Sequence, residues 1–450
     1  MAKKTVTASK LNIDRTMVDK DALTVIEKLQ SNGFAAYIVG GGIRDLLLGK
    51  KPKDYDIVTD AEPEKIRKIF SRNSLIIGRR FKLVHVIFER HDPERSAKNG
   101  YPTFTKHIIE VSTYRSKKVH NHAVSEHGRI LVDNNYGTIN EDAFRRDFTI
   151  NALYYDPIAE VVIDYHDGIK DIENRTLRII GNPHERYLED PVRVLRAIRL
   201  SEKLNLAIDE NTYINFRNVK HLLINEPKGR LFEEMVKILM SGSSVKIIVE
   251  LHELGLPRRV FNLFDKIMFH ARPDEFALEV MQRTDNRIND GEDVSLIYIL
   301  SGLLWQTVNH FWDHEKIIGA HFRQGLIDAI AKTKNLIFNS GITRNLYTGM
   351  RDIWLLQLEF EYPGITRIDH LLKHNRFRQA LHLFNLRNDF HQINKETHDW
   401  WDKYLVAEEN ELRLELLEKL PKNEEQKTNK KKKRKRRKKR NTNEIENFNE

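Results

Sequence analysis

Residues 37–60, YIVGGGIRDLLLGKKPKDYDIVTD, decide how the rest of the chain reads. Tyr37, Ile38 and Val39 are β-formers that run into Gly40, Gly41 and Gly42. Glycine lets a backbone approach a ligand closely, and a helix that starts there aims its amides at the turn. Arg44 adds a cation, so the turn suits a phosphate. After Gly49 and a basic turn come Asp54 and Asp56, two apart on an expected strand. Alternation then points both carboxylates the same way. Alone, a triple glycine is a tight turn and Asp-x-Asp a solvated strand end. Together they offer Mg²⁺ the setting that phosphoryl or nucleotidyl transfer needs.

The chain has 450 residues, enough for two to four domains. It has no cysteine, which excludes a disulfide framework and any thiolate nucleophile or metal ligand. No apolar run of membrane-spanning length is present. The N-terminal lysines lack the apolar segment of a signal peptide, so a cytoplasmic protein is expected. The formal net charge is +10, and its location matters more than its size. Residues 421–450 hold thirteen basic residues and five glutamates, which is +8; the other 420 residues carry +2.

Along the chain, residues 1–20 read as a loose arm. Residues 21–31 have helical spacing, ended by Asn32 and Gly33. Pro63 opens a further helix. Residues 75–88 read as strand, turn, strand, and 107–114 as another strand, with 91–106 as a polar surface loop. His120, His122 and His127 read as part of a solvated loop. A strand pair is expected around VVIDYHDGIKDI. From Asn182 onward the pattern is helical and leucine-rich. His374, Arg376, Arg378, Trp400 and Trp401 interleave charge with rings, but an ordinary helical surface accounts for them.

Three constellations carry chemistry. A metal cage around Asp54 and Asp56 needs a third carboxylate; Glu110, an acid in an apolar strand, is one candidate and Asp147 the other. In RRDF, Asp147 could accept from a ribose hydroxyl, and Arg145 or Arg146 could meet phosphate. In LEDPVRVLRAIRL, Asp190 reads as a helix N-cap and Pro191 as its first residue. Arg193, Arg196 and Arg199 then form one basic stripe beside an apolar one. Asp190 and Arg193 offer an acceptor and a forked donor to a base edge, with Arg196 and Arg199 toward phosphates.

YIVGGGIRDLLLG, DYD, IIEVSTYR, EDAFRRDFTINALYYD, DYHDG and EDPVRVLRAIRL stand in that order. They resemble the family of class II tRNA nucleotidyltransferases and bacterial poly(A) polymerases. GRRFKLVHV, RDIWLLQLEF and the basic tail look like the poly(A) branch. The resemblance implies an α/β nucleotidyltransferase head of polymerase β type with a mixed sheet. An all-helical neck and body and a disordered basic tail follow it. The expected domains are an arm (1–20), catalytic head (21–180), base-reading neck (181–245), RNA-binding body (246–420) and tail (421–450). It implies AMP addition from ATP to RNA 3′ ends with two Mg²⁺ ions. Gly40, Gly41, Arg44, Asp54, Asp56, Asp190 and Arg193 take the nucleotide and metal roles, and the matching strand glutamate supports Glu110. Arg79, Arg80, Lys82, Lys431, Arg434, Arg436 and Arg437 are the expected RNA contacts. RNA-decay or RNA-chaperone proteins are the expected partners. The alternatives are a CCA-adding enzyme, or an inactive RNA-binding protein on the same scaffold.

Removing residues 421–450 is expected to leave the fold intact, weaken RNA binding and flatten its salt dependence. Each lost phosphate contact changes the log–log slope by about 0.7. A binding titration across salt concentrations checks this; an unchanged slope assigns the tail to a protein or an anionic lipid.

Overall fold

The computed structural model describes residues 3–420 apart from 79–81, 94–101, 117–134, 257–259, 262, 264–273, 318–321, 364 and 409. Arg79, Arg80, the histidines at 120, 122 and 127, and the whole basic tail lie outside the described residues. The chain forms two compact units, Met1–Glu226 with Lys246–Val260, and Pro227–Val245 with Phe261–Glu450.

The first unit is built on a mixed sheet. Its strands are β1 (Lys4–Thr7), β2 (Ala36–Val39), β3 (Asp56–Thr59), β4 (Ser74–Ile77), β5 (Leu83–His91), β6 (Phe104–Thr113), β7 (Leu153–Asp156) and β8 (Val161–Asp164). They lie in the order β1-β8-β7-β2-β3-β6-β5-β4. Neighbours are antiparallel except β3 and β6, which run parallel. A parallel pair needs a crossover, here the segment containing helix α3 (Pro63–Phe70) and strands β4 and β5.

Alternation builds the hairpin of β5 and β6. Val84, Val86, Ile109, Val111 and Thr113 are buried on one face, while the residues between them are at least partly open. Helix α1 (Lys20–Ser31) is capped by Asp19, which accepts from the Asp21 N–H, and buries Ala22, Val25, Ile26 and Leu29. Gly33, at φ +83, follows its C-cap Asn32, as expected.

Four local expectations change. Residues 1–20 are not a loose arm: Lys4–Thr7 pairs with β8, and Ala8, Ile13 and Val18 are buried. KTVT, with one apolar residue, hid an edge strand among polar neighbours. Asp54 lies ahead of β3, which begins at Asp56. The 91–106 loop is shorter, because pairing runs out to His91 and Phe104. VVIDYHDGIKDI contains only one strand, β8; Gly168 instead starts helix α5 (Gly168–Glu173), α4 being Ile139–Arg145.

Asp164 explains that last change. It is 2% exposed, and its carboxylate accepts from the N–H groups of His166, Gly168 and Ile169 at 2.9, 3.1 and 3.0 Å. A buried acid that binds three amides ends a strand and starts a helix. Gly168 is required there: a Cβ would stand 2.3 Å from the Thr149 carbonyl oxygen.

The second unit is helical. Its longer helices are Glu275–Asn289, Leu296–Ile317, Phe322–Asn339 and Arg344–Glu361. Trp305, Trp312, Trp354 and Trp401 are fully buried in it. Trp400 stacks on Tyr404 and Trp401 meets Phe360 edge-on, and both are buried, which leaves them no face for a base.

Asp164→Ala orphans three buried amides, each at about 1 kcal/mol or more, so a loss on the order of 3 kcal/mol is expected. Urea unfolding monitored in the first unit measures it. A loss under about 1 kcal/mol would mean that water replaces the carboxylate.

Candidate active site

The glycine turn, β3 and the end of α4 meet at one place. Gly40 has φ +66 and N-caps helix α2 (Gly41–Leu47). A Cβ on Gly40 would stand 3.7 Å from Asp56 Oδ2 and 3.8 Å from Arg146 Nη1. The turn is glycine because a φ of +66 is a conformation that L side chains rarely adopt, while a Cβ there would make only ordinary contact with the carboxylate and the guanidinium.

Arg44 is buried beneath the turn. It donates to Asp45 Oδ1 at 2.7 and 2.8 Å and to Asn151 Oδ1 at 2.8 Å. Sequence reasoning expected an available cation; the structure shows a brace between α2 and the Thr149–Asn151 turn. Its Nη2 lies 3.3 Å from the place of a Gly41 Cβ, so its charge still reaches the turn.

Asp56 stands opposite Glu110 in the parallel ladder of β3 and β6. His85 of β5 is the antiparallel partner of Glu110, with Nε2 3.6 Å from Oε2. Tyr55 is buried between Asp54 and Asp56, its hydroxyl donating to the Met17 carbonyl at 2.9 Å. That anchor keeps both aspartates on the open side although Asp54 precedes the strand. Solvent reaches Asp56, yet protein crowds it. Burial and Glu110 push its pKa up to about 6; Arg146 opposes and Asp54 adds.

The three carboxylates fit a hard divalent cation. All donors are oxygens, and among the described residues none of the three forms an ion pair with lysine or arginine. Their ligand atoms do not all lie within 4.8 Å, as like charges hold apart; among the described residues only Asp19, Asp21 and His107 meet that limit. That second group already contains a cation. Arg90 Nη2 lies 2.6 Å from Asp19 and 2.5 Å from Asp21, and His107 Nδ1 is 2.7 Å from Asp21. It is a clamp between α1 and the hairpin.

The Arg-Arg-Asp run ends α4 and turns back into the unit. Arg146 donates to Asp142 Oδ2 at 3.0 and 3.1 Å and to the Tyr154 hydroxyl at 3.1 Å. Arg145 donates to the Ser116 carbonyl at 2.8 Å. Asp147 is buried and meets Arg196 at 2.7 Å. Burial works to raise its pKa, but Arg196, Asn151 and the Phe148 amide outweigh this and hold it low. Asp147 is thus committed to a cation of the neck rather than to a metal.

Helices α6 (Pro183–Glu189) and α7 (Val192–Leu204) carry the basic stripe. Asp190 lies between them and caps α7, accepting from the Val192 N–H at 3.1 Å; the helix begins one residue later than expected. Arg193, Arg196 and Arg199 are half-buried while the residues between them are buried. Arg193 donates to the Arg186 carbonyl and, at 3.1 Å, to Glu189. Arg186 was missed in the sequence. It donates to the carbonyls of Arg145 and Arg146 at 2.8 and 2.7 Å, tying α6 to the end of α4. Burial, with Arg193 nearby, lowers its pKa to about 10. No side-chain pattern marks an arginine that binds carbonyls. Lys82 pairs with Glu64 at 2.8 Å on the surface.

Residues 36–178 match the poly A polymerase head domain, and 324–441 the polymerase A arginine-rich C-terminus. Residues 205–273 match a domain described as "Probable RNA and SrmB- binding site of polymerase A". Poly(A) polymerase I of Haemophilus influenzae is 36% identical over 421 residues, 89% of this chain and 88% of its own. The chain belongs to the poly(A) polymerase I family. It is an enzyme of the polynucleotide adenylyltransferase class. The CCA-adding enzyme of Enterococcus faecalis is 36% identical over only 221 residues, 49% of each chain. The Bacillus stearothermophilus CCA-adding enzyme in complex with CTP shares the fold, with TM-score 0.52, 20% identity and coverage of 88% and 90%. Among the described residues, no helix is long and apolar enough to cross a membrane.

Asp147→Ala leaves Arg196 without its buried partner. Arg196 stays about a third exposed, so a loss of about 2–3 kcal/mol is expected rather than the larger cost of a fully buried pair. A double-mutant cycle with Arg196→Met, read by denaturant unfolding, checks it; additive losses would mean the pair is not coupled.

Proposed function

We infer that the protein adds AMP from ATP to RNA 3′ ends in the cytoplasm, without a template. The observation that carries this reading is the pairing of Asp56 with Glu110 beside the Gly40 turn. Asp54, Asp56 and Glu110 would hold two Mg²⁺ ions. Bound there, the metals supply activation of the 3′-hydroxyl and charge neutralisation at the leaving pyrophosphate. Asp147 is withdrawn as third carboxylate because Arg196 engages it.

The chain's own residues do the positioning. Gly40 and Gly41 leave room for the triphosphate to lie on backbone amides. Arg146, fixed by Asp142 and Tyr154, keeps a cation beside that space. Arg44 stiffens the turn from below. Arg186 ties helix α6 to the end of α4 through the carbonyls of Arg145 and Arg146. Asp190 and Arg193 present an acceptor and a donor fork for the adenine edge, and Arg196 and Arg199 continue the stripe toward phosphate. The tail and Lys82 hold RNA generically. The match of 205–273 supports an RNA-handling protein as a further partner.

The test is primer extension with an unstructured RNA and each nucleotide singly. Many AMP additions with ATP and few with CTP are expected. Asp54→Asn or Asp56→Asn is expected to abolish extension, a loss of several kcal/mol of barrier stabilisation, while RNA binding by anisotropy persists. Substantial activity in either purified variant would sink the metal assignment. Extension confined to tRNA lacking its end, halting after C, C and A, would make the chain a CCA-adding enzyme.

A further inference from the structure

The hairpin of β5 and β6 has two unlike faces. One is covered: Val84, Val86, Ile109 and Val111 are buried, and Arg90 and His107 clamp this side to Asp19 and Asp21 of α1. The other is bare. Directly paired residues of neighbouring strands share a face, so Leu75, His85, Ile108 and Phe104 belong to the face that carries Glu110 and Asp56. Leu75, Ile108 and Phe104 are 53%, 46% and 57% exposed. Phe104 meets the His91 ring edge-on at 5.7 Å, and Lys106 lies exposed between Phe104 and Ile108.

Exposed apolar residues placed singly need no explanation, but these form a row that begins at a carboxylate of the site. Glu110, Ile108, Lys106 and Phe104 are successive positions of one face of β6, two residues apart. At ~3.4 Å per residue the row runs roughly 20 Å from Glu110. That is the reach of the last few nucleotides of a single strand whose end lies at Glu110. Rings and aliphatic side chains on a sheet face stack unpaired bases whatever their identity, and a lysine among them meets the backbone. Glu89 is the other acid on the face, at its outer end.

We propose that this face seats the 3′-terminal unpaired bases of the RNA primer, with Ile108 and Phe104 as stacking positions and Lys106 as a phosphate contact. The inference rests on the nucleotidyl-transfer reading of Asp56 and Glu110 and adds the path of the primer. The clamp on the far side makes the platform rigid, so a base held at Phe104 fixes where the terminal hydroxyl falls.

The experiment uses the full chain, a short unstructured RNA and ATP with Mg²⁺. Phe104→Ser with Ile108→Ser is expected to raise KM for the RNA about tenfold or more. KM for ATP and the thermal midpoint are expected to stay unchanged, because both side chains lie on the surface. Phe104→Trp is expected to retain wild-type KM, which a loss of hydrophobic packing alone would not predict. An RNA with 5-iodouridine a few nucleotides from its end is expected to crosslink to the peptide holding Phe104. Unchanged RNA KM and no such crosslink, in a protein that still adds AMP, would overturn the platform alone. A change of sedimentation without a change of RNA KM would overturn it in favour of a contact between two copies. A wild-type protein that adds no AMP would fail the underlying reading instead.

Discussion

Strand β3 pairs antiparallel on one side and parallel on the other, and the site depends on that asymmetry. The parallel ladder puts Asp56 opposite Glu110, an arrangement that a sheet ordinarily avoids because like charges across a pair repel. Register cannot slip to relieve it. Ile57, Val58 and Thr59 are fully buried on both faces of the strand, and a shift by one residue would carry the Asp56 carboxylate into one of those covered positions. The core thus holds two carboxylates together against their own repulsion. Burial first, and then the neighbouring Glu110, raise the Asp56 pKa to about 6. Ionising Asp56 costs the folded state stability as pH rises from the ordinary carboxylate range through that value; a cation returns it.

The arginines divide differently from what their spacing suggests. A stripe at 193, 196 and 199 reads as a surface turned to a polyanion. Two of its members also serve the protein: Arg196 meets buried Asp147, and Arg193 meets Glu189 and the Arg186 carbonyl. Arg186 in turn binds the carbonyls at the end of α4, whose Arg146 flanks the glycine turn. Asp190 and Arg193 and the glycine turn are therefore joined through hydrogen bonds made by guanidinium groups. A planar fork with five donors can serve a carboxylate and a carbonyl together, which lysine cannot.

The sequence exposed what depends on local pattern. The glycine turn, the strands of the head and the helices beyond Asn182 follow from propensity and periodicity. Three things did not follow. Lys4–Thr7 is a strand only because β8 offers it an edge. The hairpin extends to His91 and Phe104 because Arg90 and His107 find two aspartates on α1, a contact spanning some seventy to ninety residues. Asp147 was ambiguous with Glu110 until the partner of each was visible. A carboxylate's role is set by the cation it faces, and spacing along the chain does not reveal that. The Asp-x-Asp was legible as a pair, although its strand begins at Asp56, two residues later than expected.

Charge is partitioned along the chain in a way that separates capture from placement. The first 420 residues carry a formal +2, so they attract RNA weakly at long range, while the last thirty carry +8. A polycation without shape requirements binds phosphates anywhere, and salt screens it within about 10 Å. Under the proposed function, such a tail would raise the local concentration of RNA but would not choose which atom sits at Asp56. Transfer requires the attacking oxygen within about 3–3.5 Å of phosphorus. Only a rigid contact near the site sets a distance that fine. The sheet face running from Glu110 to Phe104 has that rigidity, since its reverse side is packed and pinned by Arg90. Its proposed stacking contacts at Ile108 and Phe104 are apolar and insensitive to salt, and Lys106 alone adds a charged contact. Under the proposed function, tail and sheet would act through different physics on one strand, and losing either one would leave the other's contribution intact.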